Sequence, residues 1–115
     1  VKHVHVLGDA TQPAPAMPKS GHMANQHGKA AAAAIVELMS GRAAVPPMMA
    51  NTCYSFVDDK NAVHVASVHQ WVPEKKTMEA VAGSGGISTQ DRKSWALEGA
   101  YAQGWAKTIW SDMLA

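Results

Sequence analysis

Val4 and Val6 alternate with Lys2, His3 and His5 over residues 1–7, which is the period-two pattern of a strand, and the pattern stops at Gly8–Asp9. The next stretch, GDATQPAPAMP, holds three prolines and predicts a loop with extended pieces. From Ser20 the period changes. Met23, His27, Ala30, Ala31, Ala34, Ile35 and Leu38 follow helical spacing along one face, with Ser20 placed as N-cap and Gly41 just past the end. The alanines at 30–34 favour helix and let a neighbouring backbone come close. Pro46–Pro47 cannot continue that helix, and period two returns after them. TCYSFVDD and AVHVASVHQWV read as strands, with Asp58–Asn61 as the hairpin turn and KKTMEAVAG as a third strand. GSGG at 83–86 is a connection. The segment from Ser88 to Leu114 is helical in the main, and Leu97, Tyr101, Trp105, Ile109 and Met113 predict a long buried stripe along it.

The pattern therefore predicts an α+β chain with a boundary at the prolines, dividing residues 1–45 from 46–115. A length of 115 residues suits one domain or a piece of a larger one. The abrupt opening in a strand, with neither initiator methionine nor signal-peptide pattern, reads as a mature fragment of a longer polypeptide. A net charge of +1, with ten Lys and Arg scattered among nine acids, argues against a nucleic-acid groove. No apolar run is long enough to span a bilayer. One cysteine makes no internal disulfide, so any bridge has to reach sequence outside this chain.

Chemistry concentrates in two places. An apolar strand that stops at Gly8–Asp9, followed by a loop and a small-residue helix, suits a cofactor lying over the strand end. Gly8 lets the backbone come close to a pyrophosphate or ribityl chain, and Asp9 can accept hydrogen bonds from sugar-like hydroxyls. The helix start at Ser20–Gly21–His22 offers N–H groups and the positive end of a dipole. The second place is Cys53, between Thr52 and Tyr54. Residue types alone leave it open among buried filler, metal ligand and reactive sulfur, with filler the commonest case. His3 and His5 have ligand spacing but no companions to complete a set, so no metal site is expected. GSGG lacks the Lys-Ser/Thr of a phosphate loop.

Taken together, VHVLGDA, MPKSGHMANQHGKAAAAAI and NTCYS resemble the flavoprotein subunit of flavocytochrome c sulfide dehydrogenase, within the superfamily of FAD-dependent disulfide reductases. The resemblance runs over essentially the whole chain. It implies that residues 1–45 end an FAD-binding α/β domain, and that 46–115 form a flavin-covering, cytochrome-interface domain of antiparallel sheet and C-terminal helices. Gly8 and Asp9 would then hold the ribityl chain. Lys19, Ser20, Gly21 and His22 would bring a helix N-terminus to the flavin pyrimidine edge, with Thr52 and Trp105 also on the flavin side. Cys53 would be half of a redox-active disulfide, whose partner lies outside this chain, as does the cysteine that links FAD covalently. The implied activity is oxidation of hydrogen sulfide to sulfur or polysulfide, with electrons passing to a haem c subunit in a periplasmic heterodimer. Two alternatives stand beside it. A sulfide:quinone oxidoreductase would need a membrane-seeking C-terminus, for which the last helix has few basic residues. A non-catalytic cytochrome-docking module would leave Cys53 inert.

Overall fold

The computed structural model describes residues 3–11 and 17–114. Helix α1 (Gly21–Met39) is followed by strands β1 (Met49–Phe56), β2 (Ala62–Val72), β3 (Thr77–Ala80) and β4 (Gly86–Ile87), and then by helix α2 (Arg92–Leu114). The sheet is antiparallel in the order β1-β2-β3, and β4 pairs with β2 alongside that path. This is an α+β fold. The body measures 52 × 35 × 21 Å with a radius of gyration of 16.3 Å. A compact domain of about this length has a radius near 13 Å. The chain is therefore an elongated plate with a thin core.

Local chemistry explains the ends of α1. Ser20 is extended, and its Oγ accepts from the Met23 N–H at 3.1 Å, as an N-cap should. At the other end Gly41 has a φ of +72°, its N–H reaches Leu38 O at 3.1 Å, and the Arg42 N–H reaches Glu37 O at 2.9 Å. That double bond closes the last turn as a Schellman motif, and Gly41 supplies the left-handed residue it needs. The β1–β2 hairpin is fixed from Asp58, whose Oδ1 accepts from the N–H groups of Lys60 at 2.9 Å and Asn61 at 2.8 Å. The Asn61 side-chain amide, and after it those two backbone bonds, hold the Asp58 carboxyl below the usual carboxylate range.

Strand β1 lies at the sheet edge, and α1 covers that edge with side chains. Gln26 closes a two-way bond with Ala50: its Nε2 donates to Ala50 O, and its Oε1 accepts from the Ala50 N–H at 3.0 Å. One helical turn earlier, His22 Nδ1 accepts from the Thr52 N–H at 3.1 Å. Four residues of helix rise about 6 Å, and two residues of strand span about 6.6 Å. The match lets an i, i+4 pair stand in for a missing strand and blunts an edge that would otherwise recruit another chain.

Two expectations need correction. The alternation in Val4–Leu7 does not become a strand; residues 4–7 are irregular, with Val4 and Val6 about 60% exposed, and Gly8–Ala10 forms a single 3₁₀ turn. Residues 1 and 2 lie outside the described part. Alternation makes a strand only where a second strand offers its ladder, and no strand among the described residues pairs with residues 4–7. Nor does α2 bury its predicted stripe. Leu97, Tyr101 and Met113 are each more than half exposed, while Gly99 and Ala102 are the buried positions and Trp105 and Ile109 are half-buried. Residues four apart drift by about 40° per step at 3.6 residues per turn, so five of them spread over nearly half the helix.

Candidate functional site

Ser20 belongs to two structures at once. Its Oγ caps α1 through Met23, and its hydroxyl donates to Asn51 Oδ1 at 2.5 Å. The Cys53 thiol donates to the same Asn51 oxygen at 3.4 Å. Asn51 is only 3% exposed, so its carbonyl is a buried junction between the start of α1 and the sulfur. Met49, Asn51 and Cys53 point to one face of the sheet because strand side chains alternate. Across the strands Cys53 pairs with Val65, which pairs with Ile87. Val65 and Ile87 are 44% and 68% exposed, and Cys53 is a half-buried free thiol. The sulfur thus opens onto an apolar row.

The opposite face carries an aromatic chain. His22 meets Trp105 edge-on at 5.6 Å, Trp105 lies 5.9 Å from Tyr54, and Tyr54 lies 5.4 Å from His64. His64 Nδ1 sits 2.6 Å from Glu98 Oε2, which ties β2 to α2. Burial, with Glu98 and then Tyr101 nearby, raises the Tyr54 phenol above its ordinary range. Lys29 and Asn25 of α1 both reach the Asp112 carboxylate of α2 and depress its pKa. Between the two helices lies an apolar groove of about 460 Å³, walled by Ala24, Trp105, Ile109 and Trp110.

On the other side of Ser20, Gly8, Asp9, Lys19, Ser20 and His27 line a crevice too tight for water. Gly8 has a φ of +64°, its N–H donates to His27 Nδ1 at 3.1 Å, and a Cβ there would touch Ala24 at 3.5 Å. Lys19 Nζ bonds the Asp9 backbone oxygen at 2.8 Å, and the Asp9 carboxylate makes no hydrogen bond among the described residues. Gly21, the first helical residue, is exposed, and a Cβ on it would meet nothing. These features suit a sugar–phosphate chain passing the head of α1. Backbone approach is open at Gly21, whereas Gly8 packs against Ala24 and gives its N–H to His27; the Asp9 carboxylate is a further acceptor, and the helix dipole is positive there.

Similarity to a known family decides the chain's relationship. Residues 45–114 match the family described as flavocytochrome c sulphide dehydrogenase, flavin-binding. The chain belongs to that family. The match covers more than half of it and includes Thr52, Cys53 and Trp105. Membership makes this a flavoprotein chain of an oxidoreductase family, with FAD as the cofactor that the family binds. The family's name also couples the flavin to a cytochrome. No helix among the described residues is long and apolar enough to cross a membrane.

Of the residues expected from the sequence, six gather at the head of α1, while Cys53 and the pair Thr52 and Trp105 stand on opposite faces of the sheet and reach that head through different contacts. Gly8, Asp9, Lys19 and Ser20 share the crevice, and Gly21 and His22 open the helix beside it. His22 joins Thr52 to Trp105. Five participants escaped the sequence reading: Asn51, Gln26, Tyr54, His64 and Glu98. Asn51 alone left a trace, as an amide in a strand where such residues are depleted.

His22 gives the patch a pH dependence. Burial and then the Lys29 charge lower its pKa below the ordinary 6.5, so the proton prefers the detached ring. A depressed imidazole pKa contributes stability that is complete above 6.5 and is lost as pH falls toward the folded value. Protonation at Nδ1 also removes the acceptor for Thr52 N–H. The buried His69 pushes the same way, through desolvation. The thermal midpoint should therefore drop between neutral pH and pH 5.5, with a shallower drop in His22→Gln. Parallel profiles for the two proteins would detach His22 from the effect.

Proposed function

We propose that this chain is the C-terminal part of a sulfide dehydrogenase flavoprotein, in which Cys53 is the sulfur that works beside FAD. The observation that carries the reading is the junction at Asn51, which lies with Cys53 inside the flavin-binding family match and joins that sulfur to the head of α1. In the proposed exchange hydrosulfide attacks a disulfide between Cys53 and a cysteine elsewhere in the polypeptide. One S–S bond breaks and one forms, the proton stays on the incoming sulfur, and the products are a persulfide and a thiolate. FAD, when bound, supplies two-electron acceptance from sulfur and one-electron release to a haem.

This chain's residues would hold and polarise that cofactor. Gly8 would border the ribityl and phosphate region, Asp9 would accept from its hydroxyls, and Lys19 would add positive charge beside it. The N-terminus of α1, at Ser20, Gly21 and His22, is a fixed dipole that would stabilise negative charge on a flavin bound there without reorganising, which is how preorganised sites lower barriers. Thr52 and Trp105 stand on either side of His22 and fix its ring. Residues 1–45 would complete an FAD-binding domain and 46–115 would close over the flavin; the change of pattern at Pro46 and the start of the match at residue 45 support that division. The partner would be a haem c subunit in a periplasmic heterodimer, and the FAD linkage would lie outside this chain.

A visible spectrum of the intact protein, before and after sulfide, tests the reading. Flavin and haem c bands together, both reduced by sulfide, are expected. Flavin without haem c would redirect the electrons to a quinone acceptor, and neither chromophore would leave only a docking module.

A further inference from the structure

We infer that Asn51 is the positioning residue for Cys53: its side-chain amide follows the charge on the sulfur, and Ser20 turns with it. The inference rests on the proposed role of Cys53 and assigns a residue that role does not by itself require.

Consider what residue 51 is free to do. Its neighbours on β1 are clamped, Ala50 by Gln26 and Thr52 by His22. The strand pairs with β2 on its other edge, with Asn51 opposite Ser67. The backbone therefore has no slack, and the residue is buried. What remains is rotation of the amide plane, a broad torsion with two wells. An amide presents an acceptor on one side and a donor on the other. As a thiol, Cys53 donates, and Oδ1 faces it at 3.4 Å while also taking the Ser20 hydroxyl at 2.5 Å. A thiolate has nothing to donate and needs a donor. Half a turn of the amide would bring Nδ2 to the sulfur and to Ser20.

Ser20 can follow because a hydroxyl both donates and accepts. Its capping bond from Met23 N–H uses one lone pair and leaves another for the Asn51 amide. The second state therefore keeps the helix cap. A hydrogen bond to the charged sulfur is stronger than one from a weak S–H donor. The turned amide thus offers a donor to the thiolate, the form released when hydrosulfide opens the disulfide. A purely structural asparagine would give the same packing without touching the protonation of Cys53.

The test is alkylation of Cys53 by iodoacetamide in the reduced full-length protein. It is followed against pH by mass spectrometry of the Cys53 peptide, with a thermal melt on each variant. Asn51→Asp keeps the shape and still accepts from Ser20, but it can only accept and adds a charge beside the sulfur. Its alkylation near neutral pH should be at least about tenfold slower, since a like charge at this range moves a titration by a unit or more. Asn51→Ala should be slowed less, roughly threefold, by loss of the donor. If the alanine variant does not fold, the isosteric aspartate carries the test. Superimposed pH profiles in a variant with a native melt would overturn the inference and leave the role of Cys53 standing. Full sulfide turnover in Cys53→Ser would remove that role instead.

Discussion

Cys53→Ser is expected to melt within about 1 kcal/mol of the parent protein and to lose sulfide-dependent cytochrome reduction altogether. Stability holds for a local reason. Serine is close to cysteine in volume, and its hydroxyl can donate to Asn51 Oδ1 as the thiol does now. The half-buried setting leaves room for the shorter bond. Activity fails for a chemical reason, because an alcohol forms neither a disulfide nor a persulfide. Two measurements on one variant separate the possibilities: the thermal midpoint, and turnover normalised to bound flavin. A structural cysteine would give the opposite pattern, with stability falling and turnover per folded molecule unchanged. Normal turnover in a well-folded Cys53→Ser protein would return the thiol to ordinary packing.

The parts of this fold that follow from nearest neighbours were legible in the sequence. Ser20 and Gly41 bound α1 because caps act within four or five residues, and Asp58 sets the hairpin because its carboxylate reaches only as far as Lys60 and Asn61. The parts that depend on a distant partner were not. Val4–Leu7 has the alternation of a strand without a ladder to join. On α2 the large residues advertise a stripe, yet contact with the turn at Lys60 is made at Gly99, where nothing but backbone fits. The candidate site divides in the same way. Gly8, Asp9, Ser20 and Cys53 could be singled out by chemistry and resemblance, whereas the role of Asn51 exists only because β1 lies against the head of α1 across 31 residues of sequence.

Gly99→Ala should produce the largest loss of stability of any single methyl added to α2. The new Cβ would fall inside the contact radius of the Lys60 carbonyl oxygen and 2.9 Å from its carbon. Neither side can yield cheaply. The Lys60 carbonyl belongs to a turn held by three bonds to Asp58 and closed by Val57 N–H on Asn61 O at 2.9 Å. Relief has to come from α2 moving outward, which would stretch the adjacent Glu98–His64 pair and pull Trp105 away from Tyr54 and His22. Overpacking of this kind costs about 1–3 kcal/mol, and the upper end is expected because the clash is with backbone. Gly104→Ala is the internal control. A Cβ there meets nothing, so relief of the glycine penalty should stabilise the helix by up to about 1 kcal/mol. Denaturant melts of both variants, with hydrogen exchange on α2, check the pair. If Gly99→Ala melts with Gly104→Ala, then α2 does not bear on the Lys60 turn. A loss confined to Gly99→Ala, with faster exchange through Trp105, would mean that one glycine sets the distance at which the aromatic chain reaches His22 at the head of α1.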